Sequence, residues 1–543
     1  MFYNCNSLKS LYLTNFDTRS AETMSYMFSQ CYNLEYLDIS SFKGNNIQYM
    51  GNMFYNCHSL KSISFPNFQA QYLSEMEYMF YNCYSLDFID LTNFQTKNAR
   101  YFQYMFYNCS NLTEINLNNI YTNYVYNMEY MFYQCSKLVN ISIPNIKVAE
   151  VSSISYMFYN CYQLKSLELY QYYDLTYVYD MSYMFYNCYK LTNITTKFRS
   201  YKYYYSCYSY CSNNHRYKKM DYMFTNCNSL ISLDFDINCN FSIYSMVDIF
   251  KGCTSLISLD LSSFRNYNVR NLDYMFKSLT SLTSINIENF DTSYVTSMRQ
   301  MFYDCIKLKV LKQNFNTKRV NYMNSMFYNC KSLVSINLIG FDTYNVYDMI
   351  HIFTNCAALK YLNLTSFRTN SVSDMNNMFT NCTSLIEIEF SINFTTYNVR
   401  NMNSMFYNCK SLISLNLEFN SFDTYKVTDM SSMFYGCIEL KSLYINNTYF
   451  RSNSLTTTNK MFYNCQKLEK IIFNPNFQTL NVNNMAHMFY NCKKLKNLEL
   501  DFFQTSKVAN MESMFNGCSQ IKYISINTDY FITSSVTTMK QMF

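Results

Sequence analysis

The sequence predicts an α/β repeat solenoid, with a parallel β-sheet on one face and short helices on the other. Three observations carry this expectation. A word of the type Met-Phe-Tyr-Asn-Cys recurs at a nearly fixed interval along all 543 residues. A strand-like apolar pattern follows each copy, and a helix-like apolar pattern precedes the next. With 6 Gly and 3 Pro in the whole chain, there is little sequence that could serve as a linker.

Taking the first residue of each word as position 1, repeats begin at residues 1, 27, 53, 79, 105, 131, 157, 184, 223, 249, 275, 301, 326, 352, 378, 405, 433, 461, 488 and 514, which makes 20 repeats. The usual spacing is 26 residues, and the repeat starting at 184 is lengthened to 39. Position 2 is always Phe, position 1 is Met except at Ile249 and Ile352, and position 8 is Leu except at Ile521. Position 11 is Leu or Ile, as in Leu11, Ile63 and Leu259, and position 13 is mostly Leu, Ile or Phe. Positions 11 and 13 alternate with polar neighbours, as a strand buried on one face requires. Stacked repeats would align these strands about 4.8 Å apart, with positions 9, 10 and 12 in solvent. Pro66 and Pro144 follow at position 14, where a missing N–H no longer interrupts a ladder.

The second half of the repeat reads as a short helix. Val295, Met298, Met301 and Phe302 fall at i, i+3, i+6 and i+7, and Val427, Met430, Met433 and Phe434 repeat the spacing. Asp291-Thr292 and Asp423-Thr424 stand where N-caps are expected. Position 4 is Asn in 13 repeats and Gly in three (Gly252, Gly436, Gly517), residues that tolerate the left-handed conformation ending a helix.

The L-x-x-L-x-L strand after M-F-x-x-C resembles the leucine-rich repeats of BspA-like surface proteins. The form FDTxxVxxMxxMFYNCxSLxSLxL, seen from Phe422 to Leu443, is similar to the Met-, Phe- and Cys-rich branch of that family. The resemblance covers the chain apart from the insertion. It implies a leucine-rich-repeat right-handed coil of about 20 repeats, a location outside the cell or on its surface, and a role in adhesion or recognition. Residues 1–543 are accordingly expected to form one solenoid, with 197–219 as an insertion in the eighth repeat. No capping segment is visible at either end, so the chain reads as a piece of something longer or as a subunit that stacks end to end into a fibre.

Of the 22 Cys, 19 occupy position 5, and Leu279 fills the remaining slot. Stacked Cys would lie within bridging distance, but parallel Cβ vectors suit a disulfide poorly. The presence of Leu279 shows that an apolar side chain suffices there. The column is expected to hold free, buried thiols. Cys207, Cys211 and Cys239 lie outside it and form a candidate disulfide set if the protein is extracellular.

Catalysis has no support in the sequence: His58, His215, His351 and His487 are scattered, and no nucleophile elbow, P-loop or zinc-protease motif is present. The expectation is a non-enzymatic protein without cofactor or metal. A net charge of +6 over this length argues against a nucleic-acid partner, and no apolar run is long enough to span a membrane. Expected partners are the chain itself, through end-to-end stacking, or other surface proteins and glycans. The alternative is a receptor binding one protein ligand on its concave sheet face.

Three features are candidates for interaction. Acids recur at position 12 of the sheet face (Asp38, Asp90, Glu168, Asp234, Asp260, Glu389 and Glu499), offset by Lys at position 9 in eight repeats, such as Lys9 and Lys441. Tyr occupies position 3 in 13 repeats and would stack into a ladder. The insertion 197–219 interleaves cations with Tyr, and its candidate binding residues are Lys197, Arg199, Lys202, Tyr203, Tyr204, Tyr205, Arg216, Lys218 and Lys219. Six sequons are candidate glycosylation sites: Asn140, Asn193, Asn240, Asn363, Asn393 and Asn446. Asn108 and Asn381 also head sequons but sit at the turn beside Cys, where they are poor acceptors.

Overall fold

The computed structural model describes residues 1–94, 96–121, 124–143, 148, 150–169, 172–175, 177–194, 197–199, 218–233, 243–262, 268–313, 315–417, 422–445 and 449–543. The chain falls into two compact units. The first comprises Met1–Val269 with Ser278–Asp291, and the second Arg270–Lys277 with Thr292–Phe543. Each is a stretch of parallel β-solenoid in which one repeat makes one rung.

The strands sit where the apolar alternation places them. Most are two to four residues long, contain position 11, and pair in parallel with the same columns of the next rung: Ser10 with Tyr36, Leu11 with Leu37 and Tyr12 with Asp38. Tyr172–Asp174, Lys197–Arg199, Lys218–Lys219 and Ile243–Ser245 lie elsewhere in their rungs. In the first unit Ser62–Ser64, Phe88–Asp90, Glu114–Asn116, Asn140–Ile143, Ser166–Leu169 and Asn193–Ile194 form one six-stranded sheet. In the second, Ser414–Asn416, Ser442–Ile445 and Lys470–Phe473 form a three-stranded sheet, and Tyr361–Leu364 pairs with Glu387–Phe390. Position 11 points inward, as in Ile63 and Ile89, while its two neighbours are turned towards solvent.

The short helices expected on the other face are not there: the described residues contain no helix. The stretch from position 23 through the Met-Phe word is a chain of tight turns. Alternate N–H groups take different partners. The N–H groups of Met27, Ser29 and Cys31 bond three residues back, to the carbonyls of Met24, Tyr26 and Phe28, while those of Tyr26, Phe28 and Gln30 donate to the next rung, at Gly51, Met53 and Tyr55. An α-helix would send all of these bonds back along its own segment. Two left-handed residues in each rung prevent that. One is position 4, which is left-handed in all 20 repeats, whether Asn, Gly, Gln30, Ser278 or Asp304. The other immediately precedes the Met and is often bulky, as in Tyr78 (φ 56°), Tyr104 and Tyr130. Six residues are also too few to offset helix nucleation, whereas ladder bonds to a neighbouring rung need no nucleus of their own. The apolar spacing still marks the buried side chains correctly: Val295, Met298, Met301 and Phe302 are all fully buried.

The N-cap expectation changes with the helix. Thr424 donates its hydroxyl to the Arg451 carbonyl of the next rung at 2.5 Å, and Thr396 does the same to Asp423 at 2.6 Å. Asp423 accepts from the Tyr425 N–H at 2.9 Å, a local Asx turn. A further parallel ladder runs through the residue at position 23, linking Thr23, Tyr49, Glu75 and Tyr101 in the first unit and Asn271, Ser297 and Tyr322 in the second.

Each rung contributes the same side chains to the core. In the rung beginning at Met301, this residue and Phe302, Cys305, Leu308, Leu311, Phe315, Val320 and Met323 are all at most 2% exposed. Position-2 rings stack rung upon rung, with Phe80 and Phe106 5.5 Å apart and 2° from parallel. A separation above the rung spacing means the rings are offset, the arrangement their quadrupoles prefer. Burying each such ring is worth about 1.5–3 kcal/mol.

Candidate functional site

The thiol column is structural. All 19 Cys of the described residues are free, and every one except Cys5 is buried. Each of the 18 buried thiols donates to the carbonyl of the position-2 Phe one rung earlier, at 3.0–3.2 Å. That carbonyl also accepts the backbone N–H of its own Cys, so Phe353 holds both Cys356 N and Cys382 Sγ. Burial pushes the thiol of Cys382 up to about 12, and that of Cys465 likewise. Such thiols stay protonated and unreactive. Cys207, Cys211 and Cys239 lie outside the described residues.

Position 4 carries a second polar column. Asn108 Nδ2 donates to Asn82 Oδ1 at 3.2 Å, and Asn381 Nδ2 to Asn355 Oδ1 at 2.9 Å. The amide nitrogen a glycan would need at these two sequons is engaged in the ladder. Asn140, Asn193, Asn363 and Asn393 are exposed. The Asn363 amide donates to Glu389 at 2.8 Å across the rungs. Asn240 and Asn446 lie outside the described residues.

On the sheet face the position-12 acids have a local role. Asp38 accepts from Ser40 N–H at 2.9 Å, Asp90 from Thr92 at 3.0 Å and Asp260 from Ser262 at 2.8 Å, so each closes its strand with an Asx turn. The Ser40 N–H holds the carboxyl of Asp38 below its ordinary range, and the Ser262 hydroxyl, with the N–H of the same residue, does so for Asp260. Charges at position 9 pair between rungs: Lys61 with Glu35 at 2.7 Å and Lys496 with Glu469 at 3.3 Å. Large apolar groups stand among them in solvent, including Tyr12 and Phe88 in the first unit and Tyr361 and Ile413 in the second.

Of the insertion candidates, Lys197 and Arg199 belong to a strand paired in parallel with Tyr172–Asp174. Lys202, Tyr203, Tyr204, Tyr205 and Arg216 lie outside the described residues. Lys219 is exposed and 3.8 Å from Asp180. Lys218 is only 6% exposed, and its ammonium donates to the carbonyls of Leu175 and, at 2.6 Å, Val178. The Leu175 carbonyl also accepts the Val178 N–H of its own turn at 3.2 Å, so the lysine adds a second donor there.

The tyrosines form two ladders in the first unit. The position-3 ladder runs from Tyr55 to Tyr186, with successive centroids 4.5–4.9 Å apart and planes within 9° of parallel. The second ladder runs from Tyr78 to Tyr222 at 4.5–4.7 Å. It uses the left-handed residue before Met, a position at which sequence rules disfavour a bulky side chain. Its only sequence signal is the recurrence of Tyr in that column. Burial raises the Tyr130 phenol to about 12. His58 is sandwiched between Tyr32 and Tyr84, and burial lowers its pKa. Among the described residues no group of three His, Cys, Asp or Glu could hold a metal ion, and no helix is long and apolar enough to cross a membrane.

The chain is similar to a leucine-rich repeat protein from Bacteroides ovatus, at 18% identity over 76% of this chain and 92% of that one, with a TM-score of 0.42. It is also similar to a leucine-rich cell surface protein from Faecalibacterium prausnitzii (15% identity, 79% and 90% covered, TM-score 0.29) and to a leucine-rich repeat protein from Eubacterium ventriosum (14%, 73% and 85%, TM-score 0.28). No curated protein matches it. A single family model matches residues 1–88, 74–198, 100–231, 218–335, 306–414, 331–449, 385–498 and 456–543, the same repeats that resemble the BspA-like leucine-rich kind. Because these matches together span the chain, it belongs to the family described as "Mycoplasma protein of unknown function, DUF285".

Proposed function

We propose that this chain is a non-enzymatic surface protein with an adhesive or structural role, and that it makes contact through the sheet face. The observation that carries the reading is the contrast between columns. Core positions stay apolar and vary little, while positions 9, 10 and 12 change from rung to rung and expose Tyr12, Phe88, Tyr361 and Ile413 beside charged groups. Exposed aromatics on a rigid face are the usual anchors of protein contacts. The leucine-rich cell surface protein from Faecalibacterium prausnitzii is consistent with the location. N-linked glycans on Asn140, Asn193, Asn363 or Asn393 would extend from exposed positions.

The test coats beads with the wild type or with a Phe88→Ser, Tyr361→Ser variant and measures their retention on cell monolayers and matrix glycoproteins. Retention of the wild type and its loss in the variant are expected. Equal retention removes the sheet face from the reading. Surface biotinylation of intact source cells tests the location, and a chain left unlabelled overturns it. The fibre form of the proposal, in which copies stack end to end, predicts long uniform filaments in negative stain; monodisperse particles refute it.

A further inference from the structure

In the first unit the two tyrosine ladders lie side by side. Within each, neighbouring rings are close to parallel at 4.5–4.9 Å, and between them the rings are tilted at 5.5–6.4 Å, as for Tyr130 with Tyr133 and Tyr107 with Tyr130. These rings are closer than the stacked phenylalanines of the core, such as Phe80 and Phe106 at 5.5 Å. Each ladder ring is half-buried, so its face is covered by the rings above and below while its edge stays open. Phenoxyl radicals couple at the ring carbons beside the hydroxyl (Cε), and the near-parallel stacking holds neighbouring phenols together with their centroids 4.5–4.9 Å apart.

We propose that the double tyrosine ladder is a modification site, at which a haem peroxidase acting with hydrogen peroxide forms dityrosine links between successive rungs of one chain. Each of two neighbouring phenols loses one electron and one proton to the oxidant. The two radicals join through a new Cε–Cε bond, and the hydrogens on those carbons move to the oxygens as the rings regain aromaticity. Two electrons and two protons reach the peroxide, whose O–O bond breaks to give two water molecules. The protein supplies proximity: rings held in contact by the rungs couple as an intramolecular pair, with the high effective concentration that fixed geometry gives. Each link staples residues about one repeat apart, which resists the opening of individual rungs. Apart from Cys5, the position-5 thiols do not compete as reductants, because they are buried and hydrogen-bonded to backbone carbonyls. This inference does not depend on the sheet-face reading.

The experiment treats the full chain, at high dilution, with hydrogen peroxide and a haem peroxidase. Dityrosine fluorescence is read in the monomer band of a denaturing gel, and the links are mapped by mass spectrometry as peptide pairs lacking two hydrogens. The expected links join ladder neighbours such as Tyr107 with Tyr133 and Tyr104 with Tyr130. The proposal is overturned if links form only between chains, if they form only among exposed residues outside the ladders such as Tyr12 and Tyr361, or if no link forms. A Tyr107→Phe, Tyr159→Phe variant keeps the stacked rings but removes both oxidisable neighbours of Tyr133 in its column. Coupling of Tyr133 should fall several-fold with circular dichroism unchanged. Coupling at the wild-type yield counts against the ladder, and the wild-type map decides the question if the variant misfolds.

Discussion

Replacing Asn381 by Ala and, separately, by Gly separates the two jobs of the position-4 column. Asn381 is left-handed, at φ 59°. Its Nδ2 donates to Asn355 Oδ1 at 2.9 Å, and its Oδ1 accepts from Asn408 Nδ2 at 3.1 Å. Either substitution removes both side-chain hydrogen bonds, each worth about 0.5–1.5 kcal/mol. Ala must also hold a left-handed backbone, at about 1–2 kcal/mol, so the Asn381→Ala loss should be about 2–5 kcal/mol. Gly escapes that strain but gives up more unfolded-chain entropy, about 0.5–1 kcal/mol, so Asn381→Gly should be milder by about 1 kcal/mol. The column already contains this solution at Gly252, Gly436 and Gly517, all at positive φ. Because repeat arrays open locally, hydrogen exchange at the Asn381 and Asn408 amides is the direct assay, supported by urea unfolding. Both amides donate to the next rung, to Tyr407 and Tyr435, and so report on that contact. If Ala proves as stable as Gly, the backbone argument for the column is wrong.

Three further outcomes follow from the same geometry. In native buffer a thiol reagent should leave the buried column untouched and modify it only after denaturation; rapid native labelling of most thiols would contradict the burial. Alkaline stability has a definite sign. Unfolded thiols ionise from about pH 8.5, while Cys382 and Cys465 in the fold hold their protons to about 12, so the unfolded state binds fewer protons in that window and stability falls as pH rises through it, by about 1.4 kcal/mol per unit for each thiol. Stability below pH 8 is untouched by this effect, and a melting temperature flat from pH 8 to 11 would refute it. Lys218→Met retains the apolar stem but strips the ammonium from two buried carbonyls, and should weaken the rung around Leu175 by about 1–3 kcal/mol, read as faster exchange there; unchanged exchange would show that the lysine supports nothing.

Repeat, strand and core follow from side-chain pattern alone, because burial has a period that the sequence prints. Position 11 is inside and positions 10 and 12 outside in Ile63 and Ile89 for the reason the alternation gives: successive strand residues face opposite ways. The free thiol column also followed from residue type and from Leu279. The helix did not hold, although every residue of its apolar face is buried. Val295, Met298, Met301 and Phe302 would meet the same core from a helix or from a run of turns, so side-chain spacing cannot separate the two. What separates them is the backbone partner. Once a second rung lies alongside, the N–H of Phe28 reaches Met53 and that of Gln30 reaches Tyr55, and a left-handed Tyr becomes tolerable because its N–H and its ring both find partners in the neighbour. Those partners lie about one repeat away in sequence, beyond any local window, and only stacking brings them within bonding distance.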